Sequence, residues 1–562
     1  MSDLRGRLRK NGYALIFSLL TLLTYLILFF SRHLDDNRLT SWQDVFGPAT
    51  AVRILWILAA ALAVAWLISK TSLLERHPAV SLFVFSYAVS ALFWQEPEVI
   101  VDASRYFTAA KYLELYGVPW FVREWGRGIS AWTDMPAIPF LYGLIFRFFG
   151  ETRLYIQIFT SFLFSGTVVL TYLIGRSLWD ERLGMTAGLL LLGIPYLYSQ
   201  VPLMLVDVPS MFFLTLSVYT FLRALDRGGA MIAASALWIF VAFYSKYSTW
   251  LMLTVLIVIM AVYASKGGPR RREYLLRGIA VGAVTAAIVG TVFFYKWNTF
   301  SEQMRLLVSY QKPGLGRWGE SFLSTFFFQI NPAITAAALY SIYCAYRKRD
   351  LKYLIVLWLL AVVVALQIRR SRYIIMVFPM LVLAASYGLM QIRDRAITKF
   401  IGLSIAAFAI VVALFAYLPF LERISTANLK YAGAFLNSTG IQNMDVITAM
   451  PSEMPVNPAV TVPILDLYTR GNICFRYKPE GFPGPEVIRT SPLRFTWEYR
   501  NPLYYSADCS GRKDAVVVIS DRPGGSLPER AGLQERRYPH FSIFRTSENV
   551  FRFQTLVTVY YR

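Results

Sequence analysis

Long apolar runs separated by short, mostly basic loops set the pattern of this chain. Ile16 to Phe30, Ile54 to Ile68 and Ile401 to Phe420 each approach the length of roughly 20 residues that crosses a bilayer. Read by apolar length alone, the chain contains about 13 such segments. They begin near 13–31, include 184–200 and 321–345, and end near 399–420. The pattern predicts a polytopic α-helical membrane protein.

The loops give the expected orientation. Arg5, Arg7, Arg9 and Lys10 precede the first span, and Arg270, Arg271, Arg272 and Arg277 or Arg347, Lys348 and Arg349 fill later loops on the same side. Positive residues stay on the cytoplasmic face, so the N-terminus is expected inside and the C-terminal region outside, in a plasma (inner) membrane. The first apolar run has no clear small-residue cleavage site and is read as a retained helix.

Three expected outer segments are long. The first, 96–150, carries two candidate interfacial helices, Ser104 to Tyr116 and Ala137 to Phe149. The second, 297–320, ends in a Gly/Pro-punctuated stretch and is read as a mobile loop. The third, 423–562, mixes a helical stretch (Ala427 to Leu436) with β-rich runs at 445–448, 473–477, 515–519 and 554–561, which predicts a soluble α/β domain. The chain then divides into two N-terminal spans (1–79), a transmembrane region (80–422) and an extracytoplasmic domain (423–562).

Composition agrees. Of 562 residues 56% are hydrophobic and 16% charged, against about a quarter charged in soluble proteins. The net charge of +22 lies largely in the short loops, and no basic-aromatic nucleic-acid module is present. Three cysteines and three histidines without a metal-ligand spacing argue against a zinc site. Cys474 and Cys509 could pair if their domain faces an oxidising compartment.

Charges beside spans are costly and invite explanation. Asp102, Asp134 (ahead of Pro136) and Asp207 (ahead of Pro209) each stand where a helix cap could stand; at Asp102 the alternative is a carboxylate held as a general base, and at Asp207 a functional role in apolar surroundings. Lys246 and the cluster Arg369, Arg370 and Arg372 break the positive-inside tendency. They are lipid-headgroup contacts or a phosphate site.

These elements resemble, over roughly 96–420, the lipid-linked-sugar glycosyltransferases of the C-type superfamily, especially the protein O-mannosyltransferase and aminoarabinose transferase group. Asp102-Ala-Ser-Arg-Tyr106 is similar to that family's Asp-Glu-x-Arg-Tyr element, with Ala103 in place of the second acid. Asp134-Met-Pro136 resembles its charged residue before Pro-Pro-Leu, with Ala137 in place of the second proline. Leu205-Val-Asp-Val-Pro209, Phe243-Tyr-Ser-Lys246 and Arg372-Tyr-Ile-Ile-Met-Val-Phe-Pro379 resemble Leu-Thr-Asp-x-Pro, Phe-Leu-Thr-Lys and Arg-Tyr-x-x-Pro-x-x-Pro.

The resemblance implies sugar transfer from a polyprenyl-phosphate donor to an acceptor hydroxyl on a glycolipid, glycan or protein. Asp102 would be the base of an inverting displacement. Asp134 and Asp207 would orient substrate or share a divalent ion (Mg or Mn), although no cofactor is required. Lys246, Arg369, Arg370 and Arg372 would bind the lipid phosphate, with Arg105, Tyr106, Lys312, Arg317 and Tyr373 as further contacts. The rival readings are a flippase for a lipid-linked glycan and a non-catalytic scaffold of a surface-glycan complex.

Overall fold

The computed structural model describes residues 2–312, 320–449, 457–475, 483–491, 493–498, 511–521, 538–546 and 555–562. Among them, eight helices are long and apolar enough to cross a membrane. Pro78–Ala91, Ala137–Phe149, Ala230–Phe243 and Tyr353–Ala365 are apolar but shorter. Two of the expected spans are broken. Segment 184–200 divides into Glu181–Leu191 and Pro195–Gln200, because Pro195 has no N–H for a continuing helix. Segment 321–345 becomes a π-helical stretch, Ser324–Ile330, and a helix, Pro332–Lys348. The Asn331 side chain accepts from the Ala333 N–H and restarts the chain there.

The bundle is layered by burial. Ser371–Leu389 is 89% buried, whereas Gly12–Phe30 and Gly268–Tyr295 are each 11% buried. The outer helices display Leu19, Ile27, Ile279 and Phe294 on exposed faces, as lipid-facing helices do. In the interior, Gly175 of Arg153–Leu178 meets Gly184 so closely that an added Cβ would fall 2.7 Å from the Gly184 Cα. Small residues permit that approach of two backbones.

Both expected interfacial helices are present. The first is longer than the pattern predicts, Asp102–Glu124, and bends at Gly117, where φ is +83°; glycine adopts that conformation without a Cβ clash. The second is Ala137–Phe149. The segment read as a mobile loop begins as a helix, Trp297–Leu306, that runs on to Gln311. Residues 313–319 lie outside the described residues.

The C-terminal region holds a five-stranded sheet: β1 (Asn443–Thr448), β2 (Asn472–Cys474), β3 (Ala515–Ser520), β4 (His540–Arg545) and β5 (Leu556–Tyr561), in the order β2-β1-β3-β5-β4. β1 is parallel to β2 and β3, and β5 is antiparallel to β3 and β4. β3, Ala-Val-Val-Val-Ile-Ser, is buried throughout and central, as an apolar run without alternation predicts. β4 was not legible in the sequence. Helix Ala427–Ser438 covers one face through Phe435, whose ring lies 5.5 Å from Phe544 and 5.2 Å from Tyr561. Cys474 is buried and disulfide-bonded; Cys509 lies outside the described residues.

Two clamps join this domain to the bundle. Lys111 of the first interfacial helix pairs with Glu151 and, at 3.2 Å, with Asp466. The Thr426 N–H and hydroxyl both donate to the Glu98 carbonyl, at 3.0 and 2.8 Å.

Candidate active site

Asp102, Asp134 and Asp207 all stand at helix starts, and in each case the carboxylate turns away from the backbone. The cap positions belong to Val101, Pro136 and Val206, none of which makes a side-chain capping bond. Each acid reaches a cation instead. The capping explanation is thereby corrected at all three positions.

The result is one alternating chain of charge. Arg105 lies 3.2 Å from Asp134 and 3.5 Å from Asp102. Arg372 donates to Asp102 at 2.5 Å and to Asp207 at 2.9 Å. Lys246 donates to the other Asp207 oxygen at 2.5 Å. Tyr106 donates to Asp134 at 3.2 Å. These residues come from distant segments of the sequence, brought together at the end of the bundle that faces the sheet domain.

A cavity of about 120 Å³ opens on this network. Asp102, Arg105, Tyr106, Asp134, Lys246, Arg370, Arg372 and Tyr373 line it. Asp207, only 1% exposed, lies beneath as the shared counter-ion of Lys246 and Arg372. Arg369 is exposed, donates to Gln367 Oε1 at 2.8 Å and does not line the cavity. Lys312 is exposed and also outside the lining. Arg317 lies outside the described residues.

The positive charges therefore do not stand as bare phosphate ligands. Lys246 and Arg372 are neutralised by Asp207, and Arg370 faces Glu320, with 3.6 Å between Nε and Oε1. Sequence reasoning missed Glu320. The signal was available: it is an acid at the junction of a loop and an apolar segment, as Asp207 is. It also missed Leu493 and Phe495, which bring the C-terminal domain to the cavity wall. Phe495 lies under the Arg105 guanidinium at 5.0 Å. Trp132 and Tyr310, in edge contact at 5.4 Å, complete an aromatic side. Trp132 has φ +46°, a strained conformation for a bulky residue and a kind that gathers at functional sites.

The two lining carboxylates are pushed apart. Burial would raise Asp102, but Arg372 and Arg105 outweigh it and hold the carboxyl below its usual range. Burial dominates at Asp134 and raises it, against Arg105 and with the help of the Asp102 charge. The two acids do not offer a free pair to a divalent ion, since Arg105 bridges them. Among the described residues no group of three or more His, Cys, Asp or Glu side chains is placed to hold a metal.

A family model described as dolichyl-phosphate-mannose-protein mannosyltransferase matches residues 134–297, and no curated protein matches the sequence. Among solved structures, the fold is similar to ArnT from Cupriavidus metallidurans in the apo state, at 14% identity and TM-score 0.50, covering 86% of this chain and 98% of that one. The same protein bound to undecaprenyl phosphate matches at 14% identity and TM-score 0.49, over 85% and 97% of the two chains. The archaeal oligosaccharyltransferase AglB from Archaeoglobus fulgidus, in complex with an inhibitory peptide and a dolichol-phosphate, matches at 12% and 0.48, over 80% and 70%. The chain thus has the fold of ArnT, and its residues 134–297 match the mannosyltransferase family model.

Proposed function

We propose that this protein transfers a sugar from a polyprenyl-phosphate donor to an acceptor hydroxyl, on the outer side of the membrane and with inversion. The observation that carries the reading is the cavity itself. It places two carboxylates of divergent basicity beside cations anchored by a buried acid, at the end of a membrane bundle where a lipid phosphate can arrive. In the reaction the acceptor oxygen attacks the anomeric carbon as its proton passes to Asp102. The bond from that carbon to the phosphate oxygen breaks, and the electron pair leaves with the lipid phosphate. Lys246, Arg370 and Arg372 meet the charge that develops there. Leu493, Phe495, Trp132 and Tyr310 form the wall against which sugar or acceptor lies. The bridging Arg105 fills the place a divalent ion would need, so transfer is expected to survive chelation by EDTA.

The test is Asp102→Asn in reconstituted protein. Transfer from a lipid-linked sugar should fall by about 10²–10⁴-fold while the thermal unfolding midpoint is retained. Undiminished transfer removes Asp102 as base. Asp134 is the second reading, because burial makes its carboxylate the more basic of the two; Asp134→Asn would then show the larger loss in turnover. A flippase would lose lipid translocation in these variants and transfer no sugar at all.

A further inference from the structure

Arg370 lines the cavity and pairs with an acid outside the three aspartates. Its guanidinium faces Glu320 at 3.6 Å and lies 5.3 Å above the Tyr373 ring. Glu320 is 3% exposed. Its Oε2 accepts from the Ser371 N–H at 3.2 Å and from Asn37 Nδ2 at 3.4 Å. Asn37 belongs to the loop between the first two spans, and that loop grips the segment carrying Glu320 at several points. Asp36 accepts from the Ser321 N–H at 2.9 Å, Asp35 accepts from the Ser324 hydroxyl and Gln329, and Thr40 donates to Gln329 at 2.7 Å. The N-terminal spans therefore hold a carboxylate against a cavity-lining arginine.

We infer that Glu320 is a positioning residue and an exchangeable counter-ion. It holds Arg370 ready while the site is empty, and the donor's phosphate displaces it. This rests on the reading of the cavity as a lipid-phosphate site. Without donor, Asp102, Asp134, Asp207 and Glu320 are each paired with at least one of Arg105, Lys246, Arg370 and Arg372. An incoming phosphodiester adds a negative charge. Glu320 is the carboxylate best placed to yield, because among the described residues it pairs with one cation, Arg370, at 3.6 Å. Asp207 is held by two cations. On displacement Glu320 takes up one proton from solvent, and no bond is made or broken in the lipid.

The groups facing Glu320 favour that exchange. Burial, together with Asp35 and Asp36 on the N-terminal loop, pushes its carboxyl up to about 7, with Arg370 and the Ser371 N–H opposing. The Tyr196 hydroxyl also faces it. A carboxyl raised in this way is protonated below pH 7 and ionised above it. Phosphodiester affinity should therefore be highest below pH 7 and fall as pH rises.

The probe is a short prenyl phosphate methyl ester, a monoanion throughout, titrated calorimetrically into the full-length protein in buffers of different ionisation enthalpy. At pH 8 the expected uptake is close to one proton, with affinity falling about tenfold per unit above pH 7; near pH 5.5 the uptake should vanish. In Glu320→Gln the pH dependence should disappear, and affinity at pH 8 should rise to the low-pH value. Binding by the parent protein with no proton uptake at pH 8 overturns the inference and leaves the phosphate reading standing. Absence of phosphodiester binding at every pH overturns the reading itself. The proton count needs no variant, so the inference can be tested even if Glu320→Gln does not fold.

Discussion

Two charged clusters arise from a single short stretch, residues 96–102, and they behave differently. Asp102 joins the network around the cavity. Glu96 and Glu98 join Arg153, which is 6% exposed and closed in by protein: it pairs with Glu98 at 3.3 Å and donates to the carbonyls of Trp94 at 3.1 Å, Pro202 at 3.4 Å and Glu96. The Arg153 guanidinium also lies over the Tyr468 ring at 5.1 Å. None of Glu96, Glu98 and Arg153 lines the cavity beside Asp102. Arg372, by contrast, is held by carboxylates on one side and faces open space on the other. A buried charge is thus a weak sign of function by itself. The sign is a buried cation whose partners are exchangeable and whose free side meets a cavity.

The largest effect should come from Asp207→Asn. It leaves Lys246 and Arg372 without their common counter-ion, and removing one partner of a buried pair costs about 3–5 kcal/mol. Transfer should fall by at least about 10²-fold as the cations lose their positions. A lipid phosphodiester should raise the unfolding midpoint more in this variant than in the parent, because it supplies the missing negative charge. A variant as stable as the parent would break the picture of Asp207 as the anchor.

Arg153→Ala is the counterpart in the closed cluster. It should cost about 3 kcal/mol in stability, at the lower end because burial already raises the Glu98 and Glu96 carboxyls and both can shed their charge by protonation. The protein that remains folded should transfer sugar at a rate within about threefold of the parent, since no bond to the cavity has been removed. A turnover loss as large as that of Asp207→Asn would erase the distinction between the clusters.

Much of this was legible because apolar length and loop charge are local signals. The apolar segments, the second interfacial helix, β1 and β3 could all be read from short windows. Span continuity was not, since Pro195 and Asn331 interrupt apolar runs whose composition alone reads as continuous. Asp102, Asp134, Asp207 and Lys246 stood out because charge beside a span is costly. Their pairing did not, because Asp207 and Arg372 are 2.9 Å apart in space and far apart along the chain. Phe495 carried no signal at all: an aromatic residue in a soluble domain is ordinary until the fold turns it toward Arg105.

The smallest expected effect is also the sharpest test of what the structure adds. Arg369, Arg370 and Arg372 are one basic cluster in the sequence, and nothing in the spacing ranks them. In the structure the backbone turns at Gln367, with φ +52°, and the following residues diverge. Arg372 is buried against two aspartates, Arg370 reaches the cavity rim, and Arg369 points outward over Phe322 at 5.7 Å. Its donors go to the neighbouring Gln367 side chain at 3.3 and 2.8 Å. Exposed charges of this kind contribute little and are screened by salt. Arg369→Ala should therefore change transfer and phosphodiester affinity by no more than about twofold, whereas Arg372→Ala should lower both well beyond that. A tenfold loss of affinity in Arg369→Ala, sensitive to ionic strength, would mean that the turn acts as a diffuse basic patch, and the distinction between exchangeable and closed charge would no longer explain the site.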